Sequence, residues 1–243
     1  MQDRFSSLRF LGFLLFFGAA LWSCSTSGIE PGSVDEGTGY YPIEPGNTWI
    51  FQVDTVAYTF AGDTLPGRYF IKEVLGDTLY FQEGRPVFRL EIYRTADTAR
   101  GWVIDSVWSI RKDPDKIIRT ENNRPYVVLK FPLREGSRWD GNQFNTLQDS
   151  NSVFWYTAQN LGQSYGFGND FFPGVEVIQK IDSNCINNST FREIYLKNIG
   201  PVYRKKAFLQ YVQQGGSDPC GEIPVIEIGY SRTYSLLRFG KNL

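Results

Sequence analysis

The chain has 243 residues, 42% apolar and 21% charged, which is typical of a packed globular protein and too apolar for a disordered one. The formal net charge is −1, which argues against a nucleic-acid partner, since that binding depends on neutralising phosphates. Histidine is absent, which excludes Ser-His-Asp and Cys-His catalysis and His-ligated zinc. We therefore expect no metal and no cofactor, and only carboxylate-based catalysis stays open.

The first 23 residues have the pattern of a signal peptide. Two arginines precede the apolar run 10–20, which is too short to span a bilayer and is typical of a secretory signal. The run leads into Leu21-Trp22-Ser23-Cys24, which resembles the lipobox of bacterial lipoproteins. This resemblance implies cleavage before Cys24 and a diacylglycerol on its thiol. The alternative is an ordinary cleaved signal peptide in which Cys24 is incidental.

The residues after Cys24 predict a location and a tether. Ser25 follows the cysteine, and in lipoproteins a residue other than Asp at this place implies sorting to the outer membrane. The domain would then face either the periplasm or the cell surface. Residues 24–39 would form the lipidated cysteine and a flexible tether rich in Gly, Ser and acids. We expect residues 40–243 to fold as a single β domain.

Residues 40–243 alternate between apolar and polar side chains, as half-buried antiparallel strands do. In PVFRLEIYRT, for example, Phe88, Leu90 and Ile92 alternate with polar residues. Pairs of Gly, Pro and Asn separate such stretches, and no window has a helical period.

We predict an all-β fold, an antiparallel meander of about ten to twelve strands. So many strands are too many for a flat open sheet, so we expect them to curl into a barrel, half-barrel or sandwich. The stretch Gln159–Phe172 lacks alternation and is rich in Gly and Asn, which favours a long loop there.

One nine-residue phrase occurs twice, 90 positions apart, as YPIEPGNTW at 41–49 and FPLREGSRW at 131–139. Its Pro suits the start of a strand, its Gly permits a turn, and its Trp begins the strand. We interpret the phrase as a strand start that places a large ring over the open end of a curved sheet. The alternative is a pair of aromatic platforms for a sugar or lipid. The aromatic residues concerned are Tyr41, Trp49, Phe131 and Trp139.

The phrase also carries a resemblance. Tyr41, Pro42, Ile43, Gly46 and Trp49 give an opening similar to the Y-P-L-x-x-G-x-x-W of β-rich exported lipoproteins of uncharacterised families. The resemblance covers the start of the domain.

Two further signals concern covalent chemistry outside the membrane anchor. Cys185 and Cys220 predict a disulfide, because an exported protein folds in an oxidising compartment; two free thiols or a metal pair are the alternatives.

Five Asp-(Ser/Thr)-aliphatic or small triplets resemble an O-glycosylation sequon that one Gram-negative lineage uses on exported proteins. Thr64, Thr78 and Thr98 are favoured because they stand near turns.

The sequence contains no Gly-x-Ser-x-Gly, Walker loop, Gly-x-Gly-x-x-Gly or Cys-x-x-Cys. We therefore predict a non-catalytic ligand-binding or envelope-scaffold role. The expected partners are the membrane, through the lipid on Cys24, and a glycan, an apolar ligand or an envelope protein. One alternative is a carboxylate-dependent glycan hydrolase, with acids facing each other in a cleft flanked by exposed Trp or Tyr. The other is a subunit of an envelope complex, with an exposed apolar patch and no pocket.

Overall fold

The computed structural model describes residues 36–145, 154–212 and 225–243. In these ranges a short 3-10 helix, Thr38–Tyr40, precedes twelve β-strands. None of the helices described there is long and apolar enough to cross a membrane. The strands are β1 (Asn47–Tyr58), β2 (Thr64–Gln82), β3 (Arg85–Thr95), β4 (Val103–Asp113), β5 (Lys116–Glu121), β6 (Arg124–Lys130), β7 (Arg138–Asp140), β8 (Trp155–Phe167), β9 (Asp170–Ser183), β10 (Asn187–Leu196), β11 (Gly200–Tyr211) and β12 (Ile226–Lys241).

All twelve strands belong to one antiparallel sheet, in the order β6-β5-β4-β3-β2-β1-β12-β11-β10-β9-β8-β7. Each strand pairs with the next along the chain, except that β6 and β7 are the two edges and β1 pairs with β12. The sheet curls into a nearly closed barrel. The predicted all-β fold of ten to twelve antiparallel strands is thus confirmed, and the barrel is the form that the curling takes.

The two edge strands meet at a seam. The backbone N–H of Val127, on β6, donates to the carbonyl oxygen of Gly141, just after β7, at 2.9 Å. The indole Nε1–H of Trp139, on β7, donates to the carbonyl oxygen of Val127 at 2.7 Å. These two hydrogen bonds therefore join β6 to the chain around β7, although the two edge strands form no strand ladder with each other.

The strand order divides the barrel into two halves of six strands, β1–β6 and β7–β12. Each half begins with one copy of the repeated phrase, because Trp49 lies on β1 and Trp139 on β7. Where β1 meets β12, the first strand of one half pairs with the last strand of the other. At the seam the first strand of the second half, β7, lies beside the last strand of the first half, β6. The phrase thus marks equivalent places in a two-fold repeated architecture.

The two ends of the barrel differ. The β1–β2, β5–β6 and β9–β10 turns lie at one end, which we call the mouth, and the β2–β3 and β10–β11 turns lie at the other, the closed end. Residues 36–46 cross the closed end, where Glu36 and Gly39 accept backbone hydrogen bonds from Leu133 and Asn198. The chain therefore enters the barrel at its closed end.

The predicted loop at Gln159–Phe172 is wrong, because these residues form the larger part of β8, the β8–β9 turn and the start of β9. The register shifts between Gln159 and Gln163, where Asn160 and Gly162 have positive φ values of 56° and 80°. Such a bulge breaks the period-two pattern. Beyond it, most side chains of the hairpin are exposed on both faces, so no alternation could be seen in the sequence.

Candidate functional site

A cavity of about 410 Å³ lies inside the barrel on the side of the mouth. Its wall carries five aromatic rings, from Tyr126, Phe154, Tyr156, Phe191 and Tyr230. It also carries four cationic side chains, those of Arg119, Arg124, Lys180 and Lys206, and one carboxylate, that of Glu121. The cavity thus combines apolar rings with an excess of positive charge.

Strand alternation explains why these charges face inward. Arg119 and Glu121 lie two residues apart on β5, and Arg204 and Lys206 lie two residues apart on β11. Residues two apart on a strand point to the same face. Glu193 of β10 stands directly opposite Arg204 in the register of the sheet. The sheet therefore brings charged residues that are distant in sequence to one level of the interior.

Below the cavity these residues form what we call the interior charge cluster, Glu73, Arg119, Glu193 and Arg204. Arg119 Nη2 lies 2.9 Å from Glu193 Oε1, and Arg204 Nη1 lies 3.1 Å from Glu73 Oε1. Arg204 Nε and the Tyr195 hydroxyl also donate to Glu193. All four members are at most 2% exposed, so each charge depends on its partners rather than on bulk solvent.

The carboxylates of this region are held in their ionised form. Burial raises the pKa of Glu193, but Arg119 and Arg204 outweigh it and hold the pKa far below its ordinary range. Burial also raises the pKa of Glu121, yet Lys206, Arg119 and Arg204 together lower it to about 2. A general acid for glycoside hydrolysis needs a raised pKa instead. Glu121 lines the cavity and Glu193 lies below it, and the charge state of neither suits a general acid.

Several buried polar atoms of the interior have no hydrogen-bond partner within the described ranges. They include Arg119 Nη1, Arg204 Nη2, Glu73 Oε2 and the Tyr41 hydroxyl. Buried polar groups in proteins are nearly always hydrogen-bonded to protein, water or a ligand. Arg119 also lines the cavity, so its unpartnered Nη1 belongs to a buried cation at the cavity floor.

Trp49 and Tyr41, from the first copy of the phrase, pack inside the closed end. Both are 0% exposed. The Trp49 ring stacks on Phe239 at 5.5 Å between centroids and meets Tyr41 edge-on at 5.8 Å. Its indole Nε1–H donates to the Ile199 carbonyl, in the β10–β11 turn, at 2.6 Å. The ring is thus enclosed and offers no open face to a ligand.

Phe131 and Trp139, from the second copy, are also buried, at 5% and 2% exposure. Trp139 meets the cavity-lining Tyr156 edge-on, with 6.1 Å between ring centroids. Neither copy therefore provides an aromatic platform, and the phrase serves packing. Among the other tryptophans, Trp155 is 52% exposed and lies 4.9 Å beneath the Arg138 guanidinium, whereas Trp108 packs against the core.

The predicted modification sites fall in different places. Thr64, Thr78 and Thr98 are all exposed, as a modified residue must be, but the structure brings them to no common site. Cys185 lies between β9 and β10 at the mouth. Cys24 and Cys220 lie outside the described residues, so the lipid attachment and the disulfide stay predictions.

Sequence reasoning missed the cavity and the interior charge cluster. One signal was present, since Ile117, Arg119 and Glu121 put an apolar and two charged residues on one face of a strand. Charged residues on an otherwise apolar face indicate inward charges. Ile118 is also buried, however, and the resulting Ile-Ile pair hides which face of β5 is the inner one.

No group of three or more Cys, Asp or Glu side chains in the described residues is placed to hold a metal ion. Comparison with protein-family models and with curated proteins finds no match to this chain. The assignment of a function therefore depends on the geometry of the cavity.

Proposed function

We propose that this chain is a non-catalytic ligand-binding lipoprotein of the outer membrane that holds a small molecule in the mouth of its barrel. The observation that carries the proposal is the cavity of about 410 Å³ with its five aromatic rings. Ligand sites are typically concave, roughly 300–1,000 Å³ in volume, and lined by apolar rings with a few polar groups. The volume of this cavity falls in that range, and its five rings form the apolar part of a lining in which seven of the thirteen residues are polar or charged.

The direction of the cavity agrees with a lipid anchor on Cys24. Residues 36–46 cross the closed end, so the tether joins the barrel at the end opposite the mouth. An anchor attached at this end leaves the mouth open to a ligand in solution.

The predicted Cys185–Cys220 disulfide would join two connections at the mouth. Cys185 lies in the β9–β10 connection, and residue 220 falls in the sequence between β11 and β12. Tyr211, at the end of β11, donates its backbone N–H to the Ile186 carbonyl at 2.9 Å, so the end of β11 lies next to the β9–β10 connection. A bond between these connections would restrain the rim of the cavity.

The two alternatives have less support. The hydrolase needs a protonated acid, but Glu121, the carboxylate that lines the cavity, is held ionised by lysine and arginine. The complex subunit predicted an apolar patch without a pocket. Val103, Ile104 and Val107 of β4 are exposed, but they accompany a cavity rather than replace it.

Cavity binding is tested with the neutral fluorescent probe N-phenyl-1-naphthylamine and two tryptophan variants on β9. Gln179 lines the cavity, so the larger indole of Gln179→Trp occupies space inside it. Because the probe then loses contact with the cavity wall, we expect its affinity to fall at least about tenfold. Ile181 is 58% exposed on the outer face, so Ile181→Trp is the matched control and should bind as the parent does. Equal binding by both variants would place the probe elsewhere and overturn the proposal.

The anchor is tested separately by fractionation. Cys24→Ala should move the protein from the membrane fraction to the soluble fraction of the envelope, because the diacylglycerol is lost. Parent protein that is already soluble after export would contradict the lipid anchor, and this outcome would leave cavity binding untouched.

A further inference from the structure

Lysine and arginine outnumber acids around the cavity, although the chain as a whole is slightly acidic. The cavity wall and the interior charge cluster beneath it together hold five cations and three carboxylates. The whole chain has a net charge of −1. The positive excess is therefore local to the barrel interior.

Arg119 and Lys206 place positive charge at the cavity floor. Arg119 is 1% exposed and lines the cavity, and its Nη1 has no partner in the described part of the chain. Lys206 Nζ lies 3.6 Å from Glu121 Oε2, beyond a short hydrogen bond, and its side chain is 29% exposed. Arg119 is paired with Glu121 through Nε and Nη2, each at 2.7 Å, so the partly exposed Lys206 ammonium is the donor that remains able to bind an anionic oxygen.

Each of these cations has an aromatic neighbour across the sheet. Phe191 of β10 pairs with Lys206 of β11, and Tyr126 of β6 pairs with Arg119 of β5. Directly paired residues carry their Cβ atoms about 5 Å apart on the same face. The cavity therefore offers charge and ring surface side by side rather than in separate zones.

We infer that the cavity takes an amphipathic anion. Its carboxylate, sulfonate or phosphate head group is bound by Lys206 Nζ beside the buried Arg119 guanidinium, and its flat apolar body lies against Phe191 and Tyr126. Arg119 adds its positive charge next to the head group, and the low-dielectric interior strengthens both electrostatic interactions. This inference rests on the proposed function and adds the chemical class of the ligand.

Two dyes with the same ring skeleton test the charge requirement. One is 8-anilino-1-naphthalenesulfonate and the other is the neutral N-phenyl-1-naphthylamine. We expect the sulfonate to bind about tenfold more tightly, since a charge-assisted hydrogen bond contributes about 1.5 kcal/mol or more. Raising the salt concentration should weaken only the sulfonate.

Lys206→Gln should weaken the sulfonate about five- to tenfold and leave the neutral dye unchanged, because only the head group contacts the ammonium. Lys206→Arg keeps the charge and should retain sulfonate binding. Lys205→Gln is the matched control, since Lys205 is the adjacent lysine on the opposite face of β11, and it should change neither dye. Unfolding midpoints of the three variants separate loss of binding from loss of fold.

The outcomes distinguish this inference from the proposed function. Equal binding of the two dyes, or an equal loss of both in Lys206→Gln, would overturn the anionic class while cavity binding stands. Sulfonate binding that Gln179→Trp leaves unchanged would place the dye outside the cavity. If neither dye binds the folded protein, the proposed function fails as well.

Discussion

Trp49 and Trp139 occupy the same position in the two copies of one phrase, yet they close different openings. Trp49 begins a strand with a partner on each side, β2 and β12, and its ring closes the end of the barrel. Trp139 lies on a strand of three residues that pairs only with β8, and its indole reaches across the seam to β6. The same residue thus packs an end in one half and replaces part of a strand ladder in the other.

The difference shows that a repeated strand start does not impose a repeated contact. Both indole N–H groups donate to a backbone carbonyl, but one carbonyl belongs to a turn and the other to an edge strand. The elements that surround each strand decide which contacts its tryptophan makes. Substitutions of the two tryptophans should therefore have different effects.

The largest effect is expected from Trp49→Ala. Removing a fully buried aromatic ring leaves a cavity and should lower the free energy of unfolding by about 3–5 kcal/mol. Trp139→Ala should lower the free energy of unfolding by less, because the short β7 can shift to fill the space that the ring leaves. Chemical denaturation of both variants measures this, and equal losses would remove the distinction between end and seam.

A smaller effect is expected from replacing each indole by a phenyl ring. Trp49→Phe and Trp139→Phe keep most of the packing but leave a buried carbonyl without its donor, at a cost of about 1–3 kcal/mol. Only Trp139→Phe should loosen the seam, which hydrogen exchange at the Val127 amide would report. Faster exchange there in Trp49→Phe would show that the two contacts are not separate.

Acid should separate the two regions as well. Folding lowers the pKa of Glu121 from 4.5 to about 2, so its contribution to stability is present above about pH 4.5 and is lost as the pH falls through 2. Glu121 lies on β5, next to the edge strand β6. We expect the Val127 amide to lose protection at a higher pH than the Trp49 amide. Glu121→Gln should flatten this pH dependence, and an unchanged profile would contradict the assignment.

The smallest effect is expected from Trp155→Ala. This tryptophan also lies near the seam, but it is 52% exposed and contacts Arg138 by a surface cation–π interaction. Its loss should lower stability by less than about 1 kcal/mol. A loss as large as that of Trp139→Ala would mean that any ring near the seam stabilises it.

The sequence predicted the fold class because alternation and turn residues are local signals. PVFRLEIYRT lies within β3, and the Gly-Pro pair at residues 200–201 begins β11. The β8–β9 hairpin was missed because its bulge, and the exposure of both its faces to solvent, remove the alternation on which the prediction depends.

The cavity could not be predicted for a different reason. Arg119 lies 74 residues from Glu193, Glu73 lies 131 residues from Arg204, and only the curled sheet brings each pair within hydrogen-bond distance. Local patterns do not report which strands become neighbours around a barrel. The buried state of Trp49 and Trp139 likewise depends on what crosses each opening, which nine residues do not specify.

The pairing of β1 with β12 has a consequence for how the chain folds. Strands β2–β6 can form by successive local hairpins, but β1 gains its second partner only when Ile226–Lys241 has arrived. Bringing together segments so distant in sequence costs loop-closure entropy before the stabilising contacts between them form, and such topologies fold slowly. The long free edge of β1 is exposed to aggregation until then. The last strand, β12, therefore completes the barrel, and we expect aggregation to be most favoured before it pairs with β1.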